Sequence, residues 1–187
     1  MLKRAKKRRI KGLTNYRKRI LLLKGDSIRA VVRKSNRNIL VQFVTLDEKN
    51  GSDKIISSTN SLMLKEFGWM PKRNLPTAYL TGLLAANRFQ NKKDNVVLDI
   101  GLYKPIKSSI IFAAAKGILD GGVKLKHNIE VDENRIKGVH IANYANMLKG
   151  GKENNIFSLY NKAKIDISKI NELFEATKAK INNQIKK

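Results

Sequence analysis

Two apolar runs set close together constrain this chain more than any other feature. Ile28–Lys34 and Ile39–Leu46 are rich in β-branched residues, and only Ser35–Asn38 separate them. β-Branched side chains suit a pleated surface, and four intervening residues leave room for a tight reversal alone. The two runs therefore predict an antiparallel hairpin, with asparagines that tolerate the positive φ such turns need. A second turn signal, Asn50-Gly51, leads into a third run, Ile55–Thr59. The chain thus predicts a three-stranded antiparallel meander near its start.

After the meander the apolar period lengthens. Ser61–Phe67 reads as a short helix closed by Gly68. Asn74 is placed to cap a longer helix with Pro76 in its first turn. That helix, PTAYLTGLLAANRFQN, has no charged residue before Arg88, which predicts burial on nearly all sides. The continuous apolar run Asn95–Ile100 (NVVLDI) reads as an inner parallel strand. Ser108 or Ser109 caps a buried helix, IIFAAAKGILDGG, and Val123–Lys126 reads as a short last strand. Gly138–Leu148 is helical, Gly150-Gly151 marks a hinge, and a terminal helix spans Ile167–Ile185. Its stripe is Ile167, Ile170, Leu173, Phe174, Thr177, Ile181 and Ile185. Three antiparallel strands extended by parallel ones through helical crossovers give a ribonuclease-H-like α/β fold with a mixed sheet.

Upstream of the meander, Thr14 is placed to cap an amphipathic helix over Tyr16–Lys24, with Tyr16, Ile20 and Leu23 on one face. Residues 1–13 read as a basic disordered arm, 14–150 as the α/β domain and 151–187 as a C-terminal helical extension.

Charge narrows the function. The net charge is +24, of which residues 1–40 contribute +14 from fifteen Lys/Arg against the single acid Asp26. Residues 41–110 contribute +4 and residues 111–187 contribute +6. Like charge this concentrated repels itself unless a polyanion neutralises it, and nucleic acid is the expected polyanion. Binding to an anionic membrane surface calls for exposed aromatics on an amphipathic helix, and MLKRAKKRRIKG holds no aromatic. No apolar run approaches the roughly 20 residues of a membrane span. The chain has no cysteine, hence no disulfide frame and no thiolate metal site. A reducing, cytoplasmic setting is expected.

The fold raises the alternative of a metal-dependent nuclease, which needs several carboxylates converging on divalent ions. The first strand, IRAVVRK, carries none, and Asp26 precedes it. Asp99 ends the NVVLDI strand, Asp47 and Glu48 sit in a turn, and the histidines, His127 and His140, stand thirteen apart. Asp99 fits a hydrogen-bonding acid at a strand end better than a metal ligand. No phosphate-cradling glycine loop and no nucleophile elbow is present. The expectation is no catalytic residue, no metal and no cofactor. A non-specific nucleic-acid binder is the other alternative.

Contact chemistry remains. Turn propensity accounts for Ser35, Asn36 and Asn38, but not for Arg33, Lys34 and Arg37 in the same six residues. Such cations can pair with phosphates while the amides and hydroxyl reach 2′-hydroxyls or base edges, which suits folded RNA.

Four blocks in series carry a family likeness: GLTNYRKRILLLK, RAVVRKSNRNILVQ, NLPTAYLTGLLAA and VVLDIGL. The chain resembles the archaeal L-eighteen family of large-subunit ribosomal proteins, counterpart of the eukaryotic family called L-five. The likeness runs from about residue 4 to about residue 150, with the last forty residues similar only as a helical tail. The resemblance implies a ribonuclease-H-like core without enzymatic activity. It implies binding to 5S ribosomal RNA, and anchoring of that RNA to the large-subunit rRNA in the central protuberance beside neighbouring ribosomal proteins. Carried onto this chain, the RNA contacts are Arg4, Lys6, Lys7, Arg8, Arg9 and Lys11 of the arm and Asn15, Tyr16, Arg17 and Arg19 of the first helix. They continue through Arg33, Lys34, Ser35, Asn36, Arg37 and Asn38 of the hairpin tip, with Lys72, Arg73 and Asn74 as weaker members.

Overall fold

A computed structural model describes residues 7–25, 27–47, 49, 51–91, 95–126, 129–148 and 155–183. Strand β1 (Ile28–Lys34) pairs antiparallel with β2 (Ile39–Asp47), Lys34 opposite Ile39, so Ser35–Asn38 form the reversal as the sequence predicts. β2 pairs antiparallel with β3 (Ser52–Asn60), and β4 (Val96–Asp99) runs parallel to β1. The order β3-β2-β1-β4 is the mixed sheet of the ribonuclease-H-like architecture. β4 is its outermost strand rather than an inner one. Val123–Lys126 does not form a strand: Leu125 alone bridges Val96, flanked by two backbone hydrogen bonds of 3.0 and 3.2 Å.

Period-two alternation assigns the two faces of the sheet. Ala30, Val32, Ile39, Val41, Phe43, Val96 and Leu98 face α3 (Leu75–Arg88) and α4 (Ile110–Asp120) and form the first core. Phe43 stacks on Phe89 with ring centroids 4.1 Å apart. Asn74 caps α3 as expected, accepting from Thr77 N. Every residue from Leu75 to Ala86 is buried. One side of α3 meets the sheet and α4. The other meets a second core built from Leu64, Phe67 and Trp69 together with α5 (Glu133–Lys137), α6 (Val139–Leu148) and α8 (Ile170–Asn183). That sandwich is why the sequence gives α3 no charged face.

The approach of α3 to α4 depends on small residues. A Cβ on Gly82 would stand 2.0 Å from Ala114 O, and one on Gly117 would stand 2.1 Å from Tyr79 O. Backbone meets backbone here, so no side chain can move aside.

The helical expectations need refining at the ends of α2 (Tyr16–Leu23), α6 and α8. Asn15, not Thr14, caps α2, because its carboxamide accepts from Lys18 N while Thr14 Oγ1 accepts from Arg8 Nε. The helix expected over Gly138–Leu148 is present as α6, whose first turn donates to Gly138 O from Ile141 N and Ala142 N, and Gly138 (φ +84°) also ends a separate α5, capped by Asp132, that the sequence does not announce. The terminal helix begins as a 3-10 turn, Ile167–Lys169, after a short α7 (Ser158–Lys162) that the sequence does not announce. Ile167, Ile170, Phe174, Thr177 and Ile181 of its predicted stripe are buried and Leu173 packs partly buried beside them. Ile185 and the Gly150-Gly151 hinge lie outside the described residues. Residues 7–13, expected within a disordered arm, include one helical turn, α1 (Lys7–Ile10), closed by Lys11 N to Lys7 O and Leu13 N to Arg8 O.

Candidate nucleic-acid interface

The sheet face opposite the first core carries Arg29, Val31 and Arg33 from β1, Gln42 from β2, and Val97 and Asp99 from β4. α2 is held against this face at the β3 edge. Between helix and sheet lies a groove of about 680 Å³, rimmed by Arg8, Lys18 and Arg19 and floored by Arg29, Arg33 and Asp99. Leu21, Leu22 and Leu102 give it apolar walls.

A chain of alternating charges crosses the floor. Arg19 Nη2 lies 3.0 Å from Asp53 Oδ2, and the other Asp53 oxygen accepts from Arg29. Arg29 Nη1 lies 3.2 Å from Asp99 Oδ2, and Arg33 Nη2 lies 3.0 Å from Asp99 Oδ1. Arg29 is only 2% exposed, so two carboxylates are needed to make its charge tolerable there. Asp99 Oδ1 also accepts from Gly101 N at 2.8 Å. Both its oxygens are therefore engaged by cations and backbone, which is the strand-end role expected of it. Among the described residues no group of three or more metal-ligating side chains gathers.

The candidate contacts divide by how they are used. Arg33 turns back from the hairpin tip to donate to Val32 O at 2.9 Å and to Asp99 O at 2.7 Å. It lies over Gly101, where a Cβ would stand 2.9 Å from the guanidinium carbon. Lys34 sits above the Tyr103 ring at 5.1 Å, and Tyr103 OH donates to Lys34 O at 2.9 Å. Ser35 Oγ accepts from Asn38 N at 2.9 Å, so this serine and asparagine close the turn. Asn36 and Arg37 project into solvent at the tip. Arg9, Lys11 and Arg17 are exposed and form no ion pair with the described residues, whereas Asn15 serves as a cap and Tyr16 is half-buried. Lys7 and Arg8 lie on the single turn of α1. Lys72 is placed over the Tyr160 ring at 5.9 Å, Arg73 is exposed and Asn74 is the α3 cap. Arg4 and Lys6 lie outside the described residues.

The structure therefore brings Arg8 and Leu13, α2 and Arg33 of the hairpin together on one side of the sheet. It adds residues that sequence reasoning passed over, Arg29, Asp53, Leu102 and Tyr103 beneath the groove. One signal was present. Arg29 and Arg33 share parity on a strand whose other residues before Lys34 are apolar, and Asp99 is the acid of the neighbouring apolar strand.

No helix is long and apolar enough to cross a membrane among the described residues. Residues 2–96, about half the chain, match the family model described as ribosomal large subunit proteins 60S L5 and 50S L18. A large ribosomal subunit protein uL18 of Korarchaeum cryptofilum is 42% identical over 183 residues, covering 94% of this chain and 92% of its own. Those of Methanosphaera stadtmanae and Thermofilum pendens are each 39% identical, covering 94% and 96% of this chain and 92% and 94% of theirs. The likeness thus extends through the helical tail. With sheet order, charge distribution and relatives in agreement, the chain belongs to the 60S L5/50S L18 family of large-subunit ribosomal proteins, a non-enzymatic family of the cytoplasmic ribosome.

Proposed function

We propose that this ribosomal protein binds 5S ribosomal RNA and anchors it to the large-subunit rRNA in the central protuberance, where neighbouring ribosomal proteins dock. The observation that carries the reading is where the acids go. Asp53 and Asp99, the carboxylates beside the groove, are both consumed by internal arginines. The surrounding face is left to exposed cations: Arg9, Lys11, Arg17, Lys18 and Arg37. Cations of this kind fix a protein on the phosphate backbone, while Asn36 at the tip offers a donor and an acceptor to a hydroxyl or a base edge.

Binding that neutralises about eight phosphates predicts log K falling with log salt at a slope of roughly −6 to −7. Filter-binding titrations with 5S rRNA across a salt series measure it. A slope near zero contradicts the reading.

A further inference from the structure

α2 contributes no buried residue. Ile20 and Leu21 are both more than half exposed. Leu22 and Leu23 are only half-buried, so the apolar seat of the helix on the sheet is thin. Its Arg19 instead meets Asp53, and Asp53 is unusual for an acid on a weakly covered edge strand. Its second oxygen is held by Arg29, which is buried and is in turn held by Asp99. The carboxylate that receives Arg19 is thus already immobile, and capturing the arginine costs little further ordering. An ordinary surface pair must freeze two free side chains.

We propose that Asp53 is a positioning residue for RNA: it holds α2 across the open sheet face, so that Arg17, Lys18 and Arg19 stand at a fixed place relative to the hairpin tip. This rests on the RNA-binding reading above. The proposal has a sign that charge alone does not share. Asp53 is an anion within a face that meets phosphates, so removing it should tighten RNA binding if electrostatics were its whole effect. If it positions α2, removing it weakens binding, because the helix must then be ordered at the moment of association.

The test compares wild type with Asp53→Asn and Asp53→Glu by 5S rRNA titration at fixed salt. The expected result is a loss of about tenfold in Asp53→Asn, as for other lost preorganisation, and partial recovery in Asp53→Glu. Free Asp53→Asn should also be cut faster by trypsin after Arg17, Lys18 and Arg19. The unfolding transition reported by Trp69, in the second core, should fall, because the buried Arg29 keeps only Asp99, but by too little to leave an unfolded fraction that accounts for the lost binding. Equal or tighter RNA binding by Asp53→Asn overturns the proposal. So does a drop in the Trp69 transition large enough to account for the lost binding.

Because the natural chain has no cysteine, a second experiment isolates position from charge. In Arg19→Cys/Asp53→Cys, joining the thiols with a short bis-maleimide restores the tether without either charge. The joined form should bind more tightly than the same variant left unjoined, and equal binding overturns the proposal. Wild-type protein that fails to bind 5S rRNA overturns the RNA reading itself, and this inference with it.

Discussion

The sandwich around α3 and the layer formed by α2 on the sheet hold together by opposite means. Around α3, cohesion is apolar and close: α4 approaches backbone to backbone at Gly82 and Gly117, and Phe174 meets Tyr79 and Trp69 at ring-centroid distances of 5.5 and 6.3 Å. At α2, no residue is buried and an alternating chain of arginine and aspartate joins helix to sheet. The first kind of contact is insensitive to salt and tolerates little change in volume. The second leaves cations exposed and adjustable, which is what a surface that must meet a polyanion requires. The difference teaches that the charge of this chain is not spread evenly: +14 of the +24 falls in residues 1–40, which include the helix that the apolar core does not bury.

The largest expected effect breaks the first region alone. Phe174→Ala should destabilise the fold by about 3–5 kcal/mol, read by denaturant unfolding, with little change in RNA affinity of the protein that remains folded. Gly82→Ala should cost at least about 1–3 kcal/mol by overpacking, since the new methyl would meet Ala114 O. A smaller loss than that would mean the two helices can separate without penalty.

A matched pair sharpens the contrast. Asn74 and Asn15 cap α3 and α2 by the same carboxamide-to-backbone bond, 3.0 and 3.1 Å long. Asn74→Ala should lower global stability by about 1 kcal/mol. Asn15→Ala should fray α2 and weaken RNA binding while leaving the unfolding midpoint in place. If both variants shift the midpoint equally, α2 is part of the cooperative core and the comparison fails. Arg37→Ala, at the exposed tip, should lower RNA affinity by about 1–3 kcal/mol if it meets a base or a desolvated phosphate, and unfolding should not change.

The smallest effect is one of pH. Burial lowers the His140 pKa below 6.5, and Arg135 adds to the shift. The native state then binds fewer protons than the unfolded state as pH falls through 6.5, so stability should decline on acidification. The decline should be slight, because His140 remains largely exposed, and His140→Gln should flatten it.

Much of the first region was legible in the sequence. The charge-free run from Leu75 to Ala86 predicted burial on nearly all sides, and the β-branched runs placed β1 and β2, though not the face that each turns to the core. The short join at Ser35–Asn38 set the hairpin. What escaped depends on contacts made at a distance in sequence. The join between β1 and β4 that fixes Arg29 and Arg33 needs Asp99, some 70 residues away. The inward turn of Arg33 needs the bare backbone at Gly101. Without that geometry the three cations at the hairpin read alike. In the fold one of them is bound inward, one lies over Tyr103, and Arg37 faces solvent. The short α7 and the split at Gly138 escaped because neither carries a long apolar period.

The most direct measurement of the central claim is a filter-binding titration of the full chain against 5S rRNA at two salt concentrations, with tRNA as competitor. The account predicts tight binding that weakens steeply with salt yet survives excess tRNA. Equal displacement by tRNA would contradict it, leaving a basic surface that reads phosphate and nothing more.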